Sequence, residues 1–74
     1  MKLTALKDGE KAIIKEIKLN KKDHQRLFYM GFYIGAKIEK IRQAPCGDPK
    51  LFFLAGNQII LRKKECMKIE VDII

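Results

Sequence analysis

Uninterrupted apolar runs in this chain are short, Leu51 to Gly56 among them, and turn-forming residues break the sequence up about every eight to twelve positions. Runs that short build strands of about five residues, and they fall far below the roughly 18–20 residues of a membrane span. With 74 residues the chain has room for one domain, residues 1–74, and one small core. Surface scaling gives roughly 4,700 Å² when folded against about 12,500 Å² unfolded. A core that size has little volume to give up to a deep catalytic cleft.

Along the chain, Lys2 to Leu6 reads as a short strand or extended arm, and Lys7-Asp8-Gly9-Glu10 as a turn in which Gly9 supplies positive φ. Between Lys11 and Leu19, Ile13, Ile17 and Leu19 mostly keep a period of two while Ile14 breaks it. That irregularity predicts a bulge, or a strand covered on both faces. Asn20 is placed to cap a helix, with Asp23 near its positive end and Gly31 in the left-handed position after Met30. A helix of about ten residues is not stable alone and must dock. Its expected inward anchors are Leu27 and Met30, with His24 half-buried and Arg26 and Tyr29 directed outward or sideways.

Phe32-Tyr33-Ile34-Gly35 is a turn feeding a strand from Ala36 to Ala44, and Pro45-Cys46-Gly47-Asp48-Pro49 is a loop by composition. Leu51 to Ala55 is an apolar strand, Gly56-Asn57 a hairpin signal, and Gln58 to Arg62 the return, with Ile59 and Leu61 on one face and Ile60 on the other. Lys63 to Cys66 suggests one helical turn. The last stretch alternates, with Met67, Ile69, Val71 and Ile73 inward. These elements describe a mainly β chain: a small barrel of about five strands with one short α-helix. SH3-like and OB-like barrels both fit that pattern.

Sixteen Lys and Arg against nine Asp and Glu leave a net charge of +7. Such a field draws nucleic acid, anionic headgroups or an acidic protein face, and it also serves simply as a solvated surface. Cys46, Cys66 and the single His24 lack the paired spacing of a structural zinc site, so no metal or cofactor is expected. The chain has no Ser and one Thr, Thr4, which leaves almost no candidate hydroxyl nucleophile. The expectation is a binding module rather than an enzyme. The N-terminus has neither an apolar h-region nor a small-residue cleavage site, from which a cytoplasmic location is expected.

Four blocks carry a family resemblance: Leu6-x-x-Gly9-x-x-Ala12-x-Ile14-x-x-Ile17, Arg26-Leu27-x-x-Met30-Gly31-Phe32-x-x-Gly35-x-x-Ile38, Ala44-Pro45-x-Gly47-Asp48-Pro49, and Leu61-Arg62-x-x-Glu65-x-x-x-Ile69-x-Val71. Together they resemble the FeoA family from Leu3 to Val71. The resemblance implies an SH3-like barrel and a stand-alone cytosolic accessory protein of bacterial ferrous-iron uptake. Its implied partner is FeoB, a membrane transporter with a cytosolic GTP-binding domain. It implies no catalytic activity and no direct membrane insertion. Carried onto this chain, Gly9, Gly31 and Gly35 are backbone requirements, Leu27 and Met30 helix anchors, and Pro45, Gly47, Asp48 and Pro49 a fixed loop. Arg26 either closes that loop through carbonyls or Asp48, or faces a partner carboxylate.

Several residues depart from the family pattern. Tyr29 stands where an acidic residue is common, Tyr33 and Ile34 add bulk after the helix, and Cys46 and Cys66 replace small or apolar residues. Tyr29, Tyr33 and Ile34, rimmed by Lys22 and Arg26, are the candidate docking surface, since exposed aromatics are enriched at interface hot spots. The alternative is a basic small barrel that binds nucleic acid by stacking bases on exposed aromatics. Against it, no RNP-like motif is present and no nucleic-acid partner is expected. The apolar end, Val71-Asp72-Ile73-Ile74, offers either an edge for weak self-association or a cover for the barrel mouth.

Overall fold

A computed structural model describes all residues, Met1–Ile74. Five strands form one antiparallel sheet: β1 (Lys11–Ile17), β2 (Lys37–Gln43), β3 (Lys50–Leu54), β4 (Asn57–Leu61) and β5 (Ile69–Ile73), in the spatial order β4-β3-β2-β1-β5. Helix α1 (Lys21–Phe28) links β1 to β2, and the single turn α2 (Lys63–Cys66) links β4 to β5. The chain is mainly β, and the strongly curved sheet wraps one core of 15 buried apolar residues. Its accessible surface, 4824 Å², lies close to the value expected for its mass.

Two bulges let flat strands curve around so small a core. Ala12 and Ile14 are fully buried, and the β1–β5 register then shifts between Ile14 and Glu16, so Ile17 also packs against the core. The irregularity legible around Ile14 is therefore a bulge, but the phase is the reverse of the expected one: Ile14 faces the core and Ile13 is only half-buried. A second shift between Lys40 and Arg42 bends β2 against β3. Bulges add twist and redirect the side chains that follow.

The first residues form a 3₁₀ turn, Leu3–Ala5, rather than a strand. Leu3 and Leu6, three apart, are both buried, and the Leu6 amide donates to the Leu3 carbonyl at 3.1 Å. That spacing suits three residues per turn. The β3–β4 hairpin turns through Ala55-Gly56, both at positive φ, one residue earlier than the Gly56-Asn57 signal. In β5 only Ile69 and Val71 of the four alternating apolar residues are buried; Met67 precedes the strand and Ile73 lies at its exposed end.

Candidate functional site

Helix α1 begins as its sequence indicates: the Asn20 side chain accepts from the Asp23 amide at 2.8 Å. It ends on two bonds, Phe32 N–H to Leu27 C=O and Gly31 N–H to Phe28 C=O, both 3.0 Å, with Gly31 at φ +91°. This is the Schellman arrangement, and its apolar contact is Leu27 with Phe32, both buried. Phe32, in the expected turn, thus becomes the anchor that Met30 was expected to be. Met30 is 40% exposed because the tight exit swings the chain past it.

The same exit displays a patch of apolar and aromatic side chains. Tyr29 is 79% exposed, Ile34 61%, Phe28 53% and Tyr33 49%. The Phe28 ring meets Tyr29 and Tyr33 edge-on, with both centroid separations at 6.3 Å. Edge-to-face contact holds the three rings as one surface rather than three separate side chains. The structure thus leaves Tyr29, Tyr33 and Ile34 exposed around one helix exit and adds Phe28, which sequence reasoning missed. Phe28 follows Leu27 directly, so the helical period alone put it off the buried face, where an exposed Phe is readable only as part of a surface. Lys22, Arg26 and Tyr29 project from the outward side of α1 at helical spacing, and all are exposed.

Arg26 pairs with Glu65 of α2, Nη2 to Oε2 at 2.9 Å, and not with Asp48. Asp48 is already engaged: its Oδ1 accepts from the Lys63 amide at 2.7 Å and caps α2. The Glu65 Oε1 accepts from the Arg62 amide at 3.0 Å, so one carboxylate ties α2 both to itself and to α1. The exposed Arg26–Glu65 pair contributes at most about 1 kcal/mol. Gly47 and Pro49 complete a closed loop: Gly47 N–H donates to Ala44 C=O at 2.7 Å and Ala44 N–H to Pro49 C=O at 3.0 Å. Gly47, Asp48 and Pro49 therefore hold the loop and seat α2, while Pro45 makes no hydrogen bond within it.

Beneath that loop lies a polar cluster with no counterpart in the sequence reading. Lys40 and Lys50 are only 5% and 6% exposed. Both ammonium groups donate to one Gln43 Oε1, at 2.6 and 3.0 Å. Lys50 also donates to the Gly47 carbonyl at 2.6 Å, and Lys40 pairs with Asp8 at 3.2 Å. Buried charges persist only when partnered in this way. The period-two step from Ile38 to Lys40 was the one available signal, since it places Lys40 on the buried face of β2.

Cys66 is fully buried, and burial pushes its thiol up to about 12. It is therefore no nucleophile at neutral pH. Cys46 is exposed and its Sγ donates to the Asp48 carbonyl at 3.1 Å. Glu70 lies below the usual carboxylate range, chiefly through a hydrogen bond from Lys2, with a further bond from the terminal ammonium. No three His, Cys, Asp or Glu side chains converge into a group able to hold a metal ion. No helix is long and apolar enough to cross a membrane.

A family model for the FeoA domain matches residues 1–73. The chain belongs to the FeoA family. A putative Fe(2+) transport protein A of Campylobacter jejuni is 35% identical over 74 residues, the whole of both chains. In Porphyromonas gingivalis an Fe(2+) transport protein A/Fe(2+) transporter FeoB fusion protein is 31% identical over 74 residues. This FeoA domain spans 9% of that fusion's length. Among solved structures, the iron(II) transport protein A of Clostridium thermocellum superposes with a TM-score of 0.94 at 39% identity, covering 100% of this chain and 46% of that one. The FeoA of Stenotrophomonas maltophilia, described as a procaryotic SH3 domain protein and complexed with zinc, superposes at 0.79 with 26% identity, over 97% and 89% of the two chains. The architecture of this FeoA domain is SH3-like, as its blocks of residues implied.

Proposed function

We propose that this FeoA domain is a non-catalytic accessory module of ferrous-iron uptake that docks on the cytosolic side of a FeoB-type transporter. The observation that carries the reading is the Porphyromonas gingivalis relative, in which a domain of this kind and FeoB share one polypeptide. Tethering raises the effective concentration of two weakly interacting modules, often to the millimolar range, without any new contact. Docking without a tether needs a surface with its own affinity. The rings of Phe28, Tyr29 and Tyr33 with Ile34, flanked by Lys22 and Arg26, supply apolar area ringed by cations. Burying such side chains contributes about 25 cal/mol per Å², and Lys22, which forms no ion pair, favours an acidic counterpart.

The test is binding of the purified protein to the detergent-solubilised FeoB-type transporter of the same organism, at low and at physiological salt. Binding is expected to persist at physiological salt and to be lost in Tyr29→Ala/Tyr33→Ala with folding intact. Binding that disappears with salt would assign the attraction to net charge, and retention of an RNA preference at physiological salt would favour the nucleic-acid reading instead. Unchanged affinity in the double variant would remove the aromatic patch from the interface.

A further inference from the structure

The two edges of the sheet are treated differently. The outer edge of β5 is covered: Val71 N–H donates to Met1 C=O at 2.8 Å, the Met1 ammonium donates to Val71 C=O at 3.0 Å, and Lys2 bridges to Glu70. The outer edge of β4 is bare. The tight Ala55-Gly56 turn makes Leu54 and Asn57 a hydrogen-bonded pair, and the alternation that follows assigns Phe52–Ile59 and Lys50–Leu61 as the other bonded pairs. Gln58 and Ile60 therefore turn their N–H and C=O groups away from β3, and none of the turn, loop or side-chain hydrogen bonds reaches them. Natural edges are usually blunted by Pro, Lys or a bulge. β4, Asn57-Gln58-Ile59-Ile60-Leu61, has no Pro, no Lys and no register shift, and Ile60 is 65% exposed.

Beside this edge runs a cleft of about 650 Å³ between β4, α1 and α2. Its apolar contributions are Ile60, Leu19 and Pro49, and its cations are Arg26, Arg62, Lys64 and Lys68. Its two carboxylates are occupied, Asp23 by Asn20 at 3.1 Å and Glu65 by Arg26 at 2.9 Å. None of Arg62, Lys64 and Lys68 forms an ion pair. The cleft thus presents unpaired backbone groups, one apolar strip and three uncommitted positive charges.

We propose that the outer edge of β4 takes an extended segment of a partner protein, with aliphatic and carboxylate side chains both on the face turned to this cleft, as a sixth strand. Backbone bonds to Gln58 and Ile60 supply register, the aliphatic side chains meet Ile60, Leu19 and Pro49, and the carboxylates reach Arg62, Lys64 and Lys68. A second copy of this chain is a poor occupant. Its own acidic-aliphatic strand, β5, has its outer edge covered by Met1 and Lys2. The surface shares only Arg26 with the rim of the aromatic patch, and its test does not depend on the transporter.

The probe is a synthetic octapeptide, Glu-Thr-Glu-Thr-Val-Thr-Val-Thr, whose Glu and Val share one strand face, blocked at both ends and titrated into the isotope-labelled protein at physiological salt. The expected result is slowed amide exchange at Gln58 and Ile60. Ile60→Pro removes an outward-facing N–H without breaking a β3–β4 bond, and it should abolish peptide binding. Should that variant fail to fold, Lys64→Glu/Lys68→Glu, at two exposed positions, should weaken binding by about tenfold. Three results overturn the proposal. One is peptide binding with no protection at Gln58 and Ile60. Another is equal competition by a thymidine oligonucleotide, which would show a charge-only site. The third is protection of those amides in the protein alone, rising with its concentration, which would make a second copy the occupant.

Discussion

Replacing Gly31 by Ala brings two separable costs together at one atom. At φ +91° an L side chain is strained, by about 1–2 kcal/mol. The new Cβ would also lie 2.7 Å from the Cβ of Ala55, which cannot rotate away because it is fixed to the turn backbone. Overpacking of that kind costs about 1–3 kcal/mol. The sum, about 2–5 kcal/mol, is a large share of the roughly 4–11 kcal/mol expected for a domain of this size. Gly35 is the control, at φ +94° with nothing within 4 Å of a Cβ. Gly35→Ala should therefore show the backbone cost alone. In urea, at a slope of ~1 kcal/mol per molar, the midpoint should drop by about 2–5 M for Gly31→Ala and about 1–2 M for Gly35→Ala. Adding Ala55→Gly to Gly31→Ala should recover the difference beyond what Ala55→Gly alone gains at its own φ of +51°. Equal midpoints for the two alanine variants, or no recovery in the double variant, would refute the steric argument and leave only the backbone one.

Gln43→Leu strips the shared acceptor from two buried ammonium groups and should cost about 2–4 kcal/mol by urea unfolding, whereas Gln43→Glu, which adds a carboxylate between them, should be tolerated. Glu70 is held below its ordinary value of 4.5, so its stabilising contribution is complete above that pH and is lost as pH falls below it; Glu70→Gln should flatten the acid limb of a stability-versus-pH curve. For Cys66 the sign is opposite: stability is complete below pH 9.0 and falls as pH rises towards about 12, because only the unfolded thiol ionises in that window. Cys66→Ala should be less steep over that range than the parent protein, as measured by urea midpoints at each pH. A thiol reagent at neutral pH should label Cys46 and leave Cys66 untouched until the chain unfolds.

Local signals in the chain account for much of the architecture. Asn20, Asp23 and Gly31 mark the helix ends because caps depend on a few adjacent residues and on backbone freedom at one position. The alternation of Ile59, Ile60 and Leu61 reports a strand face because side chains alternate in any extended segment. The blocks around Arg26-Leu27, Met30-Gly31-Phe32 and Pro45-x-Gly47-Asp48-Pro49 were sufficient to point to the family. The candidate docking surface was half visible: Tyr29, Tyr33 and Ile34 could be named from their place after the helix, whereas Phe28, beside Leu27 and off the buried face, was missed.

What the tertiary structure alone decided depends on contacts between distant segments. Which of Ile13 and Ile14 faces inward follows from a bulge set by pairing with β5, and the exposure of Met30 follows from Phe32 taking the place beside Leu27. The linear reading offered Arg26 the loop carbonyls, Asp48 or a partner carboxylate; Asp48 is consumed by the first amide of α2, and Arg26 pairs instead with Glu65. Lys40 and Lys50 look like surface charges in a basic chain, yet the strand phase buries both, and one Gln43 oxygen makes that burial tolerable. The bare edge of β4 is likewise a property of strand order, since any strand is unpaired until its neighbours are known. Caps, turns and alternation are written in neighbouring residues, whereas partners and edges exist only once the sheet has assembled.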